Sequence, residues 1–476
     1  MKGTGLFAVL GIAITTTTAQ AVEWDKVTFR GFVKYTHKSF IDEHRRGIDD
    51  TNNEIRAQLE LTVDPTESLR IRLTPEAYRD ASRNDSLKYR LYFNEAYGQM
   101  TKGDFEFRAG KQVVTWGQAD TIRPTDIWRR RDYSDFFKDT EEGILGLRAD
   151  YTGLGNVTIQ GVFVPYFVPD IFPFGEKSNR FFHAENVYGG IMSGVEDDPL
   201  TPFDERAAMQ SLLDQSQGFR VNDGPNLPDS LRRSEGGVRI SGSNDGWDWA
   251  VSYATFFTRV PTSFTVTPPY TANPPPAPPY NPPLPANPLF DNPYVDMTLR
   301  YERLHMWGVD FVKLFGKLGI RTEAAYFLTE DRKGTNPNID DPYIKVTTGF
   351  DYEFTNIIGD SDLTVIAQIA IDEELPRKGT TINQKEGVNL IHFYRYAAVG
   401  TATWKFTEYF KVECPYLVNV QNGDYLVQPE TTWSPVDGME LSLAGDIVGG
   451  NKNKASSFFK VFDRDDRIRG AVKYSW

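Results

Sequence analysis

The chain alternates apolar and polar residues in about 18 short segments, and the links between these segments fall into two length classes. In residues 54–63, for example, Ile55, Leu59 and Leu61 alternate with charged or polar neighbours. Every second link is short, as in 101–104 and 315–317, and the intervening links are mostly long, including 117–142, 168–234 and 258–297. Tight hairpins therefore lie along one edge of a sheet and long loops along the other.

Alternation over about ten residues matches a tilted strand that crosses a bilayer with one face on lipid and the other on a lumen. Tight turns on one side and long loops on the other are typical of outer-membrane barrels. Nothing in a soluble sandwich requires the short and the long loops to lie on opposite sides. We predict an all-β fold, a transmembrane antiparallel β-barrel of about 18 strands with 16 as the alternative, short periplasmic turns and long extracellular loops. An even count places both termini on the periplasmic side.

The N-terminus predicts export. Lys2 is followed by the apolar stretch 6–14 and by the small residues of "AQA" at 19–21, which is the pattern of a secretory signal peptide. We predict a signal peptide over 1–21 and a single outer-membrane barrel domain over 22–476, located in the cell outer membrane of a Gram-negative bacterium. A lone Cys414 excludes a disulfide framework, and a net charge of -13 argues against nucleic acid as a partner.

The last segment ends on two outward aromatic residues. Tyr474 and Trp476 close an alternating stretch, and outer-membrane barrels as a class end in this way. We predict that both residues serve as the assembly signal, and that the barrel-assembly machinery binds the C-terminal strand.

Arginine is frequent on the face that should point inward. Rings of arginine favour anions at a constriction, and the guanidinium group suits carboxylates and phosphates. The same charges could instead pair across neighbouring strands as a salt-bridge lattice. The pore-lining or constriction candidates are Arg56, Arg70, Arg72, Arg108, Trp128, Arg129, Arg130, Arg131, Arg148, Arg239 and Arg321.

Residues 105–151 resemble the signature region of a poorly characterised family of proteobacterial outer-membrane barrels, known mainly as a domain of unknown function. The family is similar in layout to alginate-export porins, which implies a channel without naming its solute. The proline-rich stretch 261–293 departs from that family. The matching signature residues are Gly110, Lys111, Gln112, Trp116, Gly117, Arg123, Pro124 and Asp126.

These patterns predict a porin-like channel for an anionic or amphipathic organic solute, with an arginine-rich lumen. The alternative is a plugged barrel that serves as a surface binding or assembly protein through its long loops. The five histidines are scattered without metal-ligand spacing, so we predict no catalytic residues, no metal and no cofactor. Predicted partners are outer-membrane lipid, a small organic or oligosaccharide solute and, as a further candidate, a periplasmic or inner-membrane transport protein.

Overall fold

The computed structural model describes residues 26–41, 50–80, 88–138, 140–172, 219–222, 231–261, 263–267, 295–333, 339–375, 392–451, 454, 457–462 and 465–476. Its main sheet closes on itself as an antiparallel barrel. Two of the 19 segments of this sheet are halves of one strand, which leaves 18 strands around the barrel and confirms the predicted fold and count. No helix among the described residues is long and apolar enough to cross a membrane.

The barrel strands β1 to β18 follow one another around the wall in chain order. Their bounds are Val27–Phe40, Thr51–Thr66, Leu69–Asp80, Tyr89–Lys102, Phe105–Gln112, Ile144–Leu154, Val157–Val164, Glu235–Asn244, Trp247–Phe257, Arg303–Phe315, Leu318–Leu328, Tyr343–Phe354, Asp362–Glu374, Tyr396–Thr407, Phe410–Asn419, Asp424–Val427 with Glu430–Val436, Met439–Gly449 and Arg467–Ser475.

Closure depends on the first and last strands. Strand β18 pairs antiparallel with β1, with Val33 opposite Tyr474, and the backbones of Gly31 and Trp476 exchange two hydrogen bonds of 3.1 and 3.0 Å. A Cβ atom at Gly31 would lie 2.6 Å from the Trp476 ring, so this position requires glycine for the ring to pack. The aromatic ending thus forms the seam of the barrel, and its role as an assembly signal stays a prediction.

The two faces of the wall differ as the alternation predicts. Large apolar side chains such as Phe29, Leu91 and Ile369 point outward and are exposed, where lipid covers them in an outer-membrane barrel. Carboxylates such as Glu54 and Glu323 point inward and are buried. The lumen is therefore polar and partly filled by protein.

Several strands differ in extent from the segments that the alternation predicts. The alternation predicts a strand over 105–116, but β5 ends at Gln112, two residues after Gly110, which has a positive φ of 131°. The alternation also predicts a strand over 298–313. Strand β10 begins only at Arg303, because Val295–Arg300 pairs instead with Ser263–Thr267 in a separate sheet. Strand β16 breaks around Pro429, which has no backbone donor for the ladder.

The long links are only partly described. The predicted signal peptide and most of 168–234 and 258–297 lie outside the described residues, so predictions on them stay predictions. Residues 117–142, which we predicted as an external loop, are described almost completely. They fold back between the strands, as the contacts below show, and we call them the in-folded loop.

Candidate functional site

The in-folded loop is attached to the far wall by one buried carboxylate. Glu323 on β11 accepts hydrogen bonds from the backbone N–H groups of Gln118, Ala119 and Thr125 at 3.0, 3.1 and 2.6 Å, and from the Thr125 hydroxyl at 2.8 Å. Gly117 has a φ of 86°, and a Cβ atom there would lie 2.5 Å from this carboxylate. The signature glycine thus lets the backbone wrap around Glu323.

A second polar contact holds the same stretch of the loop. Gln368 on β13 accepts from the Thr121 N–H and hydroxyl at 3.2 and 2.6 Å and donates to Asp120 at 3.1 Å. Arg321 lies 3.0 Å from Asp120 and 2.9 Å from Asp351 of the wall. Strands β11 to β13 therefore bind the first half of the loop through complementary polar groups.

Two tryptophans support the loop from behind. Trp116 and Trp128 are fully buried and meet edge to face with ring centroids 5.4 Å apart, and the Trp116 indole donates to Gln160 at 2.6 Å. Gly237 on β8 faces both rings, so that a Cβ atom there would lie 2.8 and 2.9 Å from them. Trp128 is thus a packing residue that the Trp116 ring and Gly237 cover.

The remaining signature residues shape the stem of the loop. Gly110 approaches the Ala96 carbonyl so closely that a Cβ atom would lie 2.2 Å from it. Gln112 donates to the Gly146 carbonyl at 3.2 Å, and Lys111 lies 3.6 Å from Glu142.

Within the loop, two more signature residues make polar contacts. Asp126 accepts from the Trp116 N–H at 3.3 Å and pairs with Arg129, and it lies 3.5 Å from Arg123. Pro124 is buried. The signature as a whole therefore positions the in-folded loop.

The tip of the loop is held by a buried ion-pair cluster on the opposite wall. Asp135 accepts two hydrogen bonds from Arg467 on β18, at 2.8 and 2.9 Å, and one from Lys38 on β1 at 2.7 Å. Lys38 also lies 2.9 Å from Glu54, which pairs with Lys138 of the loop. The loop therefore spans the lumen from β11 to β18.

Aromatic packing adds to this anchor. Phe136 stacks on Phe462 with centroids 5.1 Å apart, and Phe137 meets the same ring edge on at 5.9 Å. Phe458 and Phe459 belong to the same buried cluster. Burial of these rings stabilises the tip independently of its charges.

Each candidate arginine of the wall has an acidic partner. The pairs are Arg56–Glu76 at 2.6 Å, Arg70–Asp64 at 2.7 Å, Arg72–Glu95 at 2.9 Å, Arg108–Glu106 at 2.9 Å, Arg148–Asp150 at 2.7 Å, Arg239–Asp310 at 2.8 Å and Arg321–Asp351 at 2.9 Å. These contacts support the salt-bridge lattice as their role, and the selectivity role of the wall arginines stays a prediction.

The three consecutive arginines of the loop differ from one another. Arg129 is buried and pairs with Asp126 and Glu141. Arg130 donates to the Pro169 carbonyl at 2.7 Å, away from the cavity described below. Arg131 is half-buried and lines that cavity, so the three side chains do not act as one group.

A cavity of about 520 Å³ lies between the in-folded loop and strands β9 to β16. Its apolar wall includes Phe256, Phe327, Tyr343, Tyr394 and Leu417. Six basic side chains line it against three acidic ones, and together they are Arg123, Arg129, Arg131, Lys138, Arg259, Lys345, Asp126, Asp132 and Asp170. The cavity thus combines an aromatic surface with a lining in which basic side chains outnumber acidic ones. Lys138, Arg259 and Lys345 pair with carboxylates outside this lining.

Sequence reasoning missed several of these residues. Lys345 sits on β12, 2.8 Å from Asp372, with its ammonium group 5.6 Å from the Tyr343 ring. Arg259 donates to Glu235 and to the Val168 carbonyl at 2.8 and 2.9 Å. Only the position of Lys345 on an alternating strand could have indicated its inward direction.

Residues 11–341 match a family described as a protein of unknown function, DUF1302. The chain belongs to the DUF1302 family. This match covers more than half of the chain and confirms the resemblance carried by the signature residues, whereas the similarity to alginate-export porins stays a prediction. No curated protein matches the chain.

Solved structures show the same fold. The DUF1302 barrel is similar to a BenF-like porin from Pseudomonas fluorescens Pf-5, with 6% identity, a TM-score of 0.50, and 95% of this chain and 98% of that chain covered. It is also similar to OccK8 (OprE) of Pseudomonas aeruginosa, with 8% identity, a TM-score of 0.51, and 95% and 98% covered. At these identities the similarity shows the fold of outer-membrane porins.

Proposed function

We propose that this DUF1302 barrel is a porin-like channel through which small amphipathic organic anions cross the outer membrane. The observation that carries the proposal is the cavity, which borders an aromatic wall on one side and the cationic in-folded loop on the other. An aromatic or aliphatic body would pack on Phe256, Phe327 and Tyr394, and an anionic group would be attracted by Arg123 and Arg131. Catalysis plays no part in this function.

The in-folded loop also favours a second candidate, a plugged barrel that acts through its external loops. The loop contacts both β11 and β18 and fills part of the lumen between them. Passage of solute would distinguish a constricted channel from a plug.

We expect liposomes containing the refolded barrel to take up a naphthalenesulfonate faster than either of two comparison solutes. Methanesulfonate has the same charge but lacks the ring, and a naphthyl quaternary ammonium has the ring but the opposite charge. Replacing both Arg123 and Arg131 by glutamine should slow naphthalenesulfonate uptake roughly tenfold, because local positive charge raises the concentration of an anion. Arg300→Gln is the matched control, since its side chain is about half-exposed, pairs with Glu330 and does not line the cavity. Equal uptake of all three solutes, or no effect of the double variant, would contradict the proposed solute class.

Anion preference should rise as pH falls from 7 to 5. Burial raises the pKa of Asp170 to about 6, against the opposing effects of the Arg131 N–H and of the Arg259, Arg131 and Arg130 charges. Below pH 6 this carboxyl is neutral, so the cavity loses one negative charge and becomes more attractive to anions. Reversal potentials in planar bilayers measure the anion preference of the channel. Asp170→Asn should show the same high anion preference at pH 7 as at pH 5, because it has no carboxyl to titrate.

A further inference from the structure

The outer ends of three strands bring two carboxylates and an imidazole together. Asp340 precedes β12, Glu374 ends β13 and His392 precedes β14, and one potential ligand atom from each lies within 4.8 Å of the others. His392 Nε2 is 4.0 Å from Asp340 Oδ2 and 3.7 Å from Glu374 Oε1. Their spacing in the sequence carries no metal-binding pattern, so only the barrel register reveals the cluster.

The other ring nitrogen of His392 has a carboxylate partner of its own. Nδ1 lies 2.8 Å from Asp372 Oδ1, and the second oxygen of Asp372 lies 2.8 Å from Lys345 Nζ. When Nδ1 donates to Asp372, Nε2 presents its lone pair toward Asp340 and Glu374. Metal-binding histidines in proteins are usually oriented by such an outer carboxylate.

The surrounding charges also favour a cation. The side chains of Asp340 and Asp372 are buried, and both act electrostatically on Tyr343 together with Glu302 and Glu374. The described groups here include the carboxylates of Glu302, Asp340, Asp372 and Glu374, and Lys345 pairs with Asp372. Their negative charge would attract a divalent cation to the ligand atoms of Asp340, Glu374 and His392.

We propose that Asp340, Glu374 and His392 bind one divalent transition-metal ion of the Zn²⁺ type. One imidazole nitrogen and two carboxylate oxygens form a ligand set that suits Zn²⁺, with bonds of about 2.0–2.2 Å and a fourth position left to water or solute. Ligand atoms in such a tetrahedral site lie roughly 3.3 Å apart. The three candidate atoms lie within 4.8 Å of one another, so each distance between them needs to shorten by at most about 1.5 Å.

The site would connect three strand ends beside the solute cavity. Tyr343 and Lys345, both adjacent to the cluster, also line that cavity. A bound divalent ion would tie β12, β13 and β14 together and make this side of the cavity more positive. The proposal is independent of the proposed solute, because metal binding needs no transport.

Zinc titration of the refolded full-length barrel in detergent at pH 7.5 tests the site. We expect saturable binding of about one Zn²⁺ per chain, no competition from Ca²⁺, which prefers oxygen ligands, and a melting temperature that rises with Zn²⁺. His392→Ala should weaken Zn²⁺ binding by about 100-fold, and Asp372→Asn by about 10–100-fold through loss of the outer hydrogen bond. His305→Ala is the matched control, since its ring contacts Tyr253 on another part of the wall.

A protonated His392 that simply pairs with the carboxylates would explain the same distances. In that case Zn²⁺ would not bind stoichiometrically and would not stabilise the wild type, and the proposal would be wrong. Binding that His392→Ala leaves unchanged, or that Ca²⁺ displaces, would overturn it equally. If His392→Ala does not fold, Glu374→Gln provides the test, because this partly exposed residue ends its strand and should lower Zn²⁺ affinity about tenfold or more.

Discussion

Replacing Glu323 by alanine is expected to release residues 117–125 from the wall of the barrel. Three backbone N–H groups and the Thr125 hydroxyl lose their shared acceptor in this variant. Each buried donor left unsatisfied costs about 1–3 kcal/mol. Since 1.4 kcal/mol is a factor of ten in an equilibrium, we expect trypsin to cleave the loop at its arginines at least about tenfold faster.

Glu60→Ala provides the matched control. Glu60 is also an inward glutamate, but it pairs with Arg72 at 3.1 Å and has no contact with the loop in the described part of the chain. The control should keep the wild-type cleavage rate, and Glu323→Gln should fall between the two because an amide oxygen still accepts. Equal cleavage of Glu323→Ala and wild type would show that this carboxylate does not hold the loop.

Asp135→Asn should destabilise the folded barrel by about 1.5–3 kcal/mol, because the buried cations Lys38 and Arg467 lose their shared carboxylate and keep Glu54 and Asp446 as partners. Lys38 and Arg467 are 3% and 2% exposed, so solvent cannot replace Asp135. These cations hold the pKa of Asp135 well below its usual range, against the effect of burial. Urea unfolding in detergent, followed by the shift between folded and unfolded bands on a gel, measures the change.

The surface pair Arg70–Asp64 is the comparison for this result. Both side chains are about half-exposed, and Asp64→Asn should change the free energy of unfolding by less than about 1 kcal/mol. If Asp135→Asn were no more destabilising than Asp64→Asn, the tip of the in-folded loop would not depend on its ion pairs.

Local pattern was sufficient to predict the barrel. Period-two alternation and the sorting of link lengths are properties of adjacent residues, and all 18 predicted strands occur in the structure. The errors lie where one residue changes the backbone, as at Gly110 and Pro429, and where a segment pairs with a separate sheet, as Val295–Arg300 does.

The in-folded loop could not be predicted in the same way. Its direction is set by contacts such as that between Thr125 and Glu323, which are 198 residues apart, and by that between Asp135 and Arg467, which are 332 apart. Composition alone indicates that 117–142 is rich in arginine and aromatic residues, and these suit a lipid interface as well as a buried loop. Which carboxylate each wall arginine contacts likewise depends on how neighbouring strands are aligned, and the sequence pattern does not give that alignment.

Single-channel conductance with reversal potentials, compared between wild type and Glu323→Ala in planar bilayers, tests the central claim most directly. We predict stable wild-type openings that prefer anions and a larger conductance with weaker preference in the variant, because the in-folded loop narrows and charges the lumen. A wild-type channel that prefers cations, or a conductance that is the same with and without Glu323, would contradict this account. If the wild type shows no openings and only Glu323→Ala conducts, the in-folded loop acts as a plug.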